Sequence, residues 1–417
     1  MREDIKERIE LIKCGKVPEG YKKTSVGIVP CSWSVMKVGS CICESKELSN
    51  DIEEYDVYSS TRSGLIPQTE YFDKQESVET NLGYKIVKNG YITYRHMSDD
   101  DVFHFNINKF NKTILVSNEY PVFTSNTKIN NEVLLASLNY GARFRYFCKG
   151  QKMGGTRTRL YLNKLSQYCL AVPSNYEQEI ITNILTGVDK YIECLEKLIE
   201  KKQIQKKYLK QSLLSGKKRI SSYEKEWKRV CLSKVLKERK EYALKNDGFE
   251  HVTLAKNGII PKSEKYDREH LVKNDEKKYK VTRRDDICYN PANLKFGVIC
   301  KNEYGDALFS PIYVTFEVNE EYDVEFIAQY VTALDFIKAV RKYEEGTVYE
   351  RMAVKAEDLL KFEAIIPDIE EQREIAKILS LADKEIVLLK NKLAMVEQEK
   401  RALIALLLSG TVRVEKN

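Results

Sequence analysis

The sequence predicts an α+β fold: two mixed α/β domains, each followed by one long helix, the helices pairing with each other. Three observations carry this. A stretch near Leu165–Gly216 returns near Leu359–Gly410 without a gap, with Pro173 matching Pro367 at an offset of 194. Both copies carry a heptad stripe. The segments before them are broken into short runs rich in Tyr, Val, Ile and Phe.

In the repeat, Glu177-Gln178 matches Glu371-Gln372, Asp189-Lys190 matches Asp383-Lys384, and Leu213-Leu214-Ser215-Gly216 matches Leu407-Leu408-Ser409-Gly410. Ser174 and Asp368 are good N-cap residues, with Glu177 and Glu371 three positions later at capping-box spacing. The first stripe is Ile181, Leu185, Val188, Ile192, Leu195, Ile199, Lys202, Lys206, Leu209 and Leu213. The second is Ile375, Leu379, Ala382, Ile386, Leu389, Leu393, Val396, Lys400, Leu403 and Leu407. A stripe spaced four and three over several heptads requires a partner helix of equal length, and the simplest partner for one copy is the other. Lys206 and Lys400 fall in register and form a shared polar layer, while Lys202 adds a second charge to the first seam.

The rest of the chain reads in order. Ile5, Ile9 and Ile12 mark one face of a short helix over residues 1–13, and a Gly- and Pro-containing linker follows to 34. Residues 35–162 form the first mixed domain, with strand signals at Tyr84–Val87, Tyr91–Tyr94 and Thr113–Val116 and a helix near Asn131–Leu138. The first helical region covers 163–216, ending at a helix-stopping glycine, and a polar linker spans 217–229. The second mixed domain covers 230–354 and the second helical region 355–417. The repeat persists in islands: Trp33 answers to Trp227, and Gly64-Leu65-Ile66-Pro67 to Gly258-Ile259-Ile260-Pro261. Between the islands the two domains differ almost completely, which suggests two sites that read different things.

Composition narrows the function. The chain has 417 residues, a net charge of +7 and a pI near 8.6, compatible with an acidic partner. Ten cysteines without a C-x-x-C pair argue against a zinc ribbon and read as reduced cytosolic thiols. The charged N-terminus lacks the apolar core of a signal peptide, and the expected location is the cytoplasm. No phosphate-binding loop or dinucleotide fingerprint is present. Asn290-Pro291-Ala292 has Ala where an amino-methyltransferase motif has its second Pro. Asp285-Asp286 reads as a solvated turn. His96, His104, His251 and His270 are too dispersed for a metal site. No catalytic and no metal-binding residue is therefore expected.

Binding chemistry is present. In the first domain the basic candidates are Arg62, Lys74, Arg95, Arg143, Arg145, Lys149, Lys152, Arg157 and Arg159. In the second they are Lys256, Lys262, Arg268, Arg283, Arg284, Lys295, Arg341, Lys342 and Arg351, with Asn257 and Asn290 able to pair with base edges. Lys and Arg neutralise phosphates, and Arg and Asn read bases bidentately. Any one of these is by itself more often a solvated surface charge. Their clustering at the loops of both domains favours a polyanion, double-stranded DNA.

The Thr24-x-x-Gly27-x-x-Pro30-x-x-Trp33 segment, the Pro173–Gly216 and Pro367–Gly410 helices and their Glu-Gln pairs resemble the specificity (S) subunit of type I restriction-modification systems, the HsdS family, over essentially the whole chain. The resemblance implies two target-recognition domains on an antiparallel coiled coil with a pseudo-two-fold internal repeat. It also implies two modification (methyltransferase) subunits and restriction subunits as partners. S-adenosylmethionine, ATP and Mg2+ would sit on those partners, with no cofactor on this chain. Each domain would read one half of a bipartite, asymmetric DNA target, the coil would set the gap, and the chain alone would not be an enzyme. The competing expectation is a coiled-coil scaffold with two protein-binding domains, which would carry apolar rather than basic loops.

Overall fold

The computed structural model describes residues 3–71, 83–152, 156–244, 248–255, 258–262, 278–343 and 353–414. The chain divides into two compact units, Met1–Leu195 with Lys392–Asn417, and Glu196–Asn391. In the first, the apolar runs form two sheets. One is antiparallel, in the order Phe105–Ile107, Ile92–Tyr94, Val122–Ser125, Ile42–Ser45. The other runs Leu48–Ser49, Tyr84–Val87, Ile114–Ser117, Val57–Thr61, Gly64–Pro67, with a single parallel pair between Ile114–Ser117 and Val57–Thr61. The β-branched and aromatic residues of these strands face inward: Ile92, Tyr94, Phe105, Ile114 and Phe123 are buried. Helix Asn131–Tyr140 closes the core, N-capped by Asn130.

The second unit repeats this scaffold strand for strand. Its four-stranded sheet runs Ile299–Lys301, Ile287–Tyr289, Val314–Val318, Leu236–Glu238, and its five-stranded sheet Tyr242–Leu244, Lys278–Thr282, Ala307–Phe309, Glu250–Ala255, Gly258–Pro261. The parallel pair recurs at the matching place, Glu250–Ala255 with Ala307–Phe309. The duplication therefore extends through the interiors, where the sequences have diverged, because a strand asks only for alternating apolar residues and many sequences supply them. Gly64 and Gly258 open their strands at φ +119° and +116°, a conformation strained for any residue with a Cβ.

A short two-stranded neck leads into each long helix: Ser34–Lys37 with Cys169–Val172, and Lys228–Cys231 with Glu363–Ile366. The segment expected as a linker before it contains a hairpin, Tyr21–Thr24 with Gly27–Pro30, and Trp33 is buried. The long helices are Asn175–Leu214 and Ile369–Leu408, 40 residues each, or roughly 60 Å. Every position of both stripes is buried or half-buried. In each unit the start of one helix lies against the end of the other, so the pairing is antiparallel: Ile181 and Leu185 share a core with Ile404 and Leu407, and Leu213 with Ile375 and Leu379.

The polar layer is resolved by charge. Lys206 bonds Asp383, and Lys400 bonds Asp189. Because Lys206 repeats as Lys400 and Asp189 as Asp383, one duplicated pair of residues makes the same bridge in both units. Lys202 reaches Glu385 at 2.7 Å, so neither lysine disturbs the first seam. Among the described residues no helix is long and apolar enough to cross a membrane.

Candidate nucleic-acid interface

In the first domain the chain brings distant arginines together. The two residues Arg62 and Ser63 link the hairpin strands Val57–Thr61 and Gly64–Pro67. Strand Thr158–Arg159 pairs with Met97–Ser98, which sets Arg159 opposite Met97 and carries Arg157 to Asp99. A cavity of about 650 Å³ is lined by Arg62, Arg95, Asp99, His104 and Glu119. Arg62 donates to Asp100 at 2.5 Å and Arg157 to Asp99 at 2.8 Å. Arg95 and Arg159 are exposed and, among the described residues, form no ion pair. The Arg62 guanidinium holds the Asp100 carboxyl well down, to about 2, while burial lowers His104 and His96. His96 stacks on Tyr161 with ring centroids 5.3 Å apart. The arrangement can present guanidinium forks with carboxylate acceptors beside them, the groups that read base edges. Lys149 and Lys152 lie apart, exposed at the end of helix Ala142–Lys149. Arg145 is exposed on that helix, and Arg143 donates to the Ser25 carbonyl.

In the second domain Arg283 is shared between Glu241 and Asp306, both at 2.5 Å, and Arg284 is exposed. Lys262 lies over the Tyr279 ring, and Lys342 over Tyr343. Arg341 is exposed beside Lys342 in a short helical turn. Two sequence-based expectations change. Asn290 is buried, and its Oδ1 accepts from the Ala292 amide as an N-cap. Asp286 is no solvated turn: it is 2% exposed and takes Arg239 bidentately at 2.8 and 2.9 Å. Lys74, Lys256, Asn257, Arg268 and Arg351 lie outside the described residues.

The family profile described as "Type I restriction modification DNA specificity domain" matches the chain twice, over residues 34–205 and 224–398. The chain belongs to the type I restriction-modification specificity family. The specificity subunit's fold is similar to that of the S subunit from M. genitalium, with 14% identity, TM-score 0.53, and coverage of 90% of this chain and 96% of that one. It is also similar to a chain from the structure described as the basis of complex assembly and conformational transition of the type I R-M system, with 12% identity, TM-score 0.56, and 92% and 99% coverage.

In this specificity subunit the repeated Glu-Gln pair has a physical task. Glu177 is 3% exposed and accepts Trp33 Nε1 at 2.8 Å, Ser174 Oγ at 3.0 Å and Arg413 Nε at 2.7 Å. Glu371 is 2% exposed and accepts Trp227 Nε1 at 3.1 Å and Arg219 in a two-toothed grip at 2.8 Å. The N-caps form as expected, with Glu177 N to Ser174 and Glu371 N to Asp368 at 3.4 Å. The glutamates, however, tie the start of one helix to the tail of the other. Gln178 accepts the Asn130 amide and donates to the Pro173 carbonyl, and Gln372 does the same with Asp323 and Pro367. Each glutamine thus pins a domain helix to the head of the coil. The clamps were foreshadowed only by the repeated Trp, Glu and Arg. Lys210 and Lys301, which line a cavity of about 830 Å³ in the second unit, carried no sequence signal.

Proposed function

We propose that this chain is the DNA-reading, non-catalytic subunit of a type I restriction-modification complex. Each domain reads one half of a bipartite, asymmetric duplex target, the helix pair sets the gap, and two modification subunits dock on the coil. S-adenosylmethionine, ATP and Mg2+ belong to the partner subunits, and the complex works in the cytoplasm. One observation carries the reading: one scaffold occurs twice with different side chains at its basic loops, so one frame offers two different reading surfaces. Docking is supported by Leu381 and Leu388, more than half exposed and one heptad apart on the outer side of the second helix. Such an outer apolar stripe suits a further helix.

The test is to express the chain with its modification partner and map methylated adenines by long-read sequencing. A two-part motif with unlike halves and a constant gap is expected. A single uninterrupted motif would refute the reading.

A further inference from the structure

The second unit holds a cavity of about 830 Å³ where the first long helix meets the second domain, lined by Lys206, Lys210, Lys295 and Lys301 together with Glu303 and Glu325. Lys301 is taken up by Glu325 and Glu303, and Lys206 by Asp383. Lys210 is different. Its ammonium donates to Thr332 Oγ1 at 2.9 Å and, among the described residues, forms no ion pair. An ammonium has three donors, so two remain for the cavity. The helix end at Thr332 eases the charge only in part.

The repeat makes this lysine conspicuous. The residue at its place in the other copy is Ile404, which is 1% exposed in the core. A half-buried, unpaired ammonium at a core position is costly, and burial beside Lys206 lowers it to about 8. The cavity continues into a second groove that shares Lys206 and Lys210 and adds Lys207, Lys338 and Lys390 against Asp335 and Asp383. Lysines outnumber carboxylates across the whole surface. Lys295 sits over the exposed Phe296 ring at its mouth.

We propose that Lys210, with Lys206 and Lys295, binds an anion of the phosphate class. Several lysines line this one cavity and Lys210 has no carboxylate partner among the described residues, which suits a group with three or four acceptor oxygens better than a single carboxylate. The phosphate is either a backbone phosphate of bound duplex or free phosphate. Only the duplex source rests on the DNA-reading function.

The test uses the full chain at constant ionic strength. Inorganic phosphate, titrated against chloride, should bind and raise Tm. Lys210→Met should weaken phosphate binding about tenfold, the scale of one charge-assisted hydrogen bond, whereas Lys190→Met should not. Should Lys210→Met fail to fold, Lys295→Met reads the same site from its exposed edge. In a second arm, duplex with neutral methylphosphonate linkages in the gap is compared with ordinary duplex. A loss of affinity in the wild type that disappears in Lys210→Met identifies the DNA backbone as the source, and a phosphate response without that loss identifies free phosphate. Equal effects of phosphate and chloride, with no methylphosphonate effect, overturn the proposal. So does Lys210→Met weakening only the modification subunit, which would point to an acidic protein segment. If no duplex binds at all, the DNA reading fails and the phosphate arm alone decides.

Discussion

Arg62 and Asp100 face each other at 2.5 Å, both largely exposed. Such a pair contributes little to stability, so Arg62→Ala should leave unfolding by urea nearly unchanged. It should weaken duplex binding and flatten the salt dependence by about one phosphate contact, as should Arg95→Ala. An unchanged salt slope would mean that Arg62 serves only Asp100. Arg413 is the opposite case. Its removal leaves the Glu177 carboxylate buried with one donor lost, so Arg413→Ala should destabilise by about 3 kcal/mol, measured by urea unfolding. A cost below about 0.5 kcal/mol would remove the clamp from the account. Lys210 carries a pH signature. Its folded value is about 8 against an ordinary 10.5, so between these values the unfolded chain holds a proton that the fold lacks, and stability rises with pH. Lys206 and Asp383 are the charges acting on it. Lys210→Ile should therefore stabilise by about 1–3 kcal/mol at pH 7, and the gain should shrink from pH 8 to 10.5. A gain independent of pH would assign it to packing alone.

The two long helices are equal in length because they are copies, and their polar layer is copied with them. Deleting one heptad from each, Ile192–Leu198 and Ile386–Lys392, keeps the stripe in phase. It also leaves Asp189, Lys206, Asp383 and Lys400 in place, with the spacing between bridges shortened equally on both helices. Each helix loses about 10 Å, or roughly three base pairs, and the far half-site turns by roughly a third of a turn. The methylated motif should keep both halves with a shorter gap, or activity should vanish because the coil cannot follow the turn. An active variant that methylates the original motif with its gap unchanged would show that the helices do not measure the spacing.

At the scale of the whole molecule, the repeated scaffold makes the domains exchangeable. Replacing residues 35–162 with the corresponding domain of another specificity subunit should change one half of the motif and leave the other, as read by methylation mapping. A change in both halves would mean that the domains do not read independently. The purified chain with S-adenosylmethionine should leave target DNA unmodified until the modification subunit is added. Turnover by the lone chain would contradict the division of labour proposed above.

Local spacing in the chain settles the frame. The 194-residue offset, both helices with their caps and glycine stops, and the buried stripe depend on local spacing, and helix geometry converts spacing directly into a face. Tertiary structure decided which groups meet. Nothing local says that Glu177, besides closing its own cap with Ser174, also takes Trp33 and Arg413, 144 and 236 residues away, or that Lys206 finds Asp383. Asn290 looked like a base reader and is an internal cap, because the same amide suits either task. The shared sheets of the two domains were hidden for a related reason: strand pairing uses backbone groups that every residue carries, so topology outlasts sequence likeness. The basic residues of both domains were visible in the sequence. Which of their charges are spent on Asp99, Asp100, Glu241 or Asp306 was settled only by the fold, since an ion pair depends on distances that the order of residues does not encode.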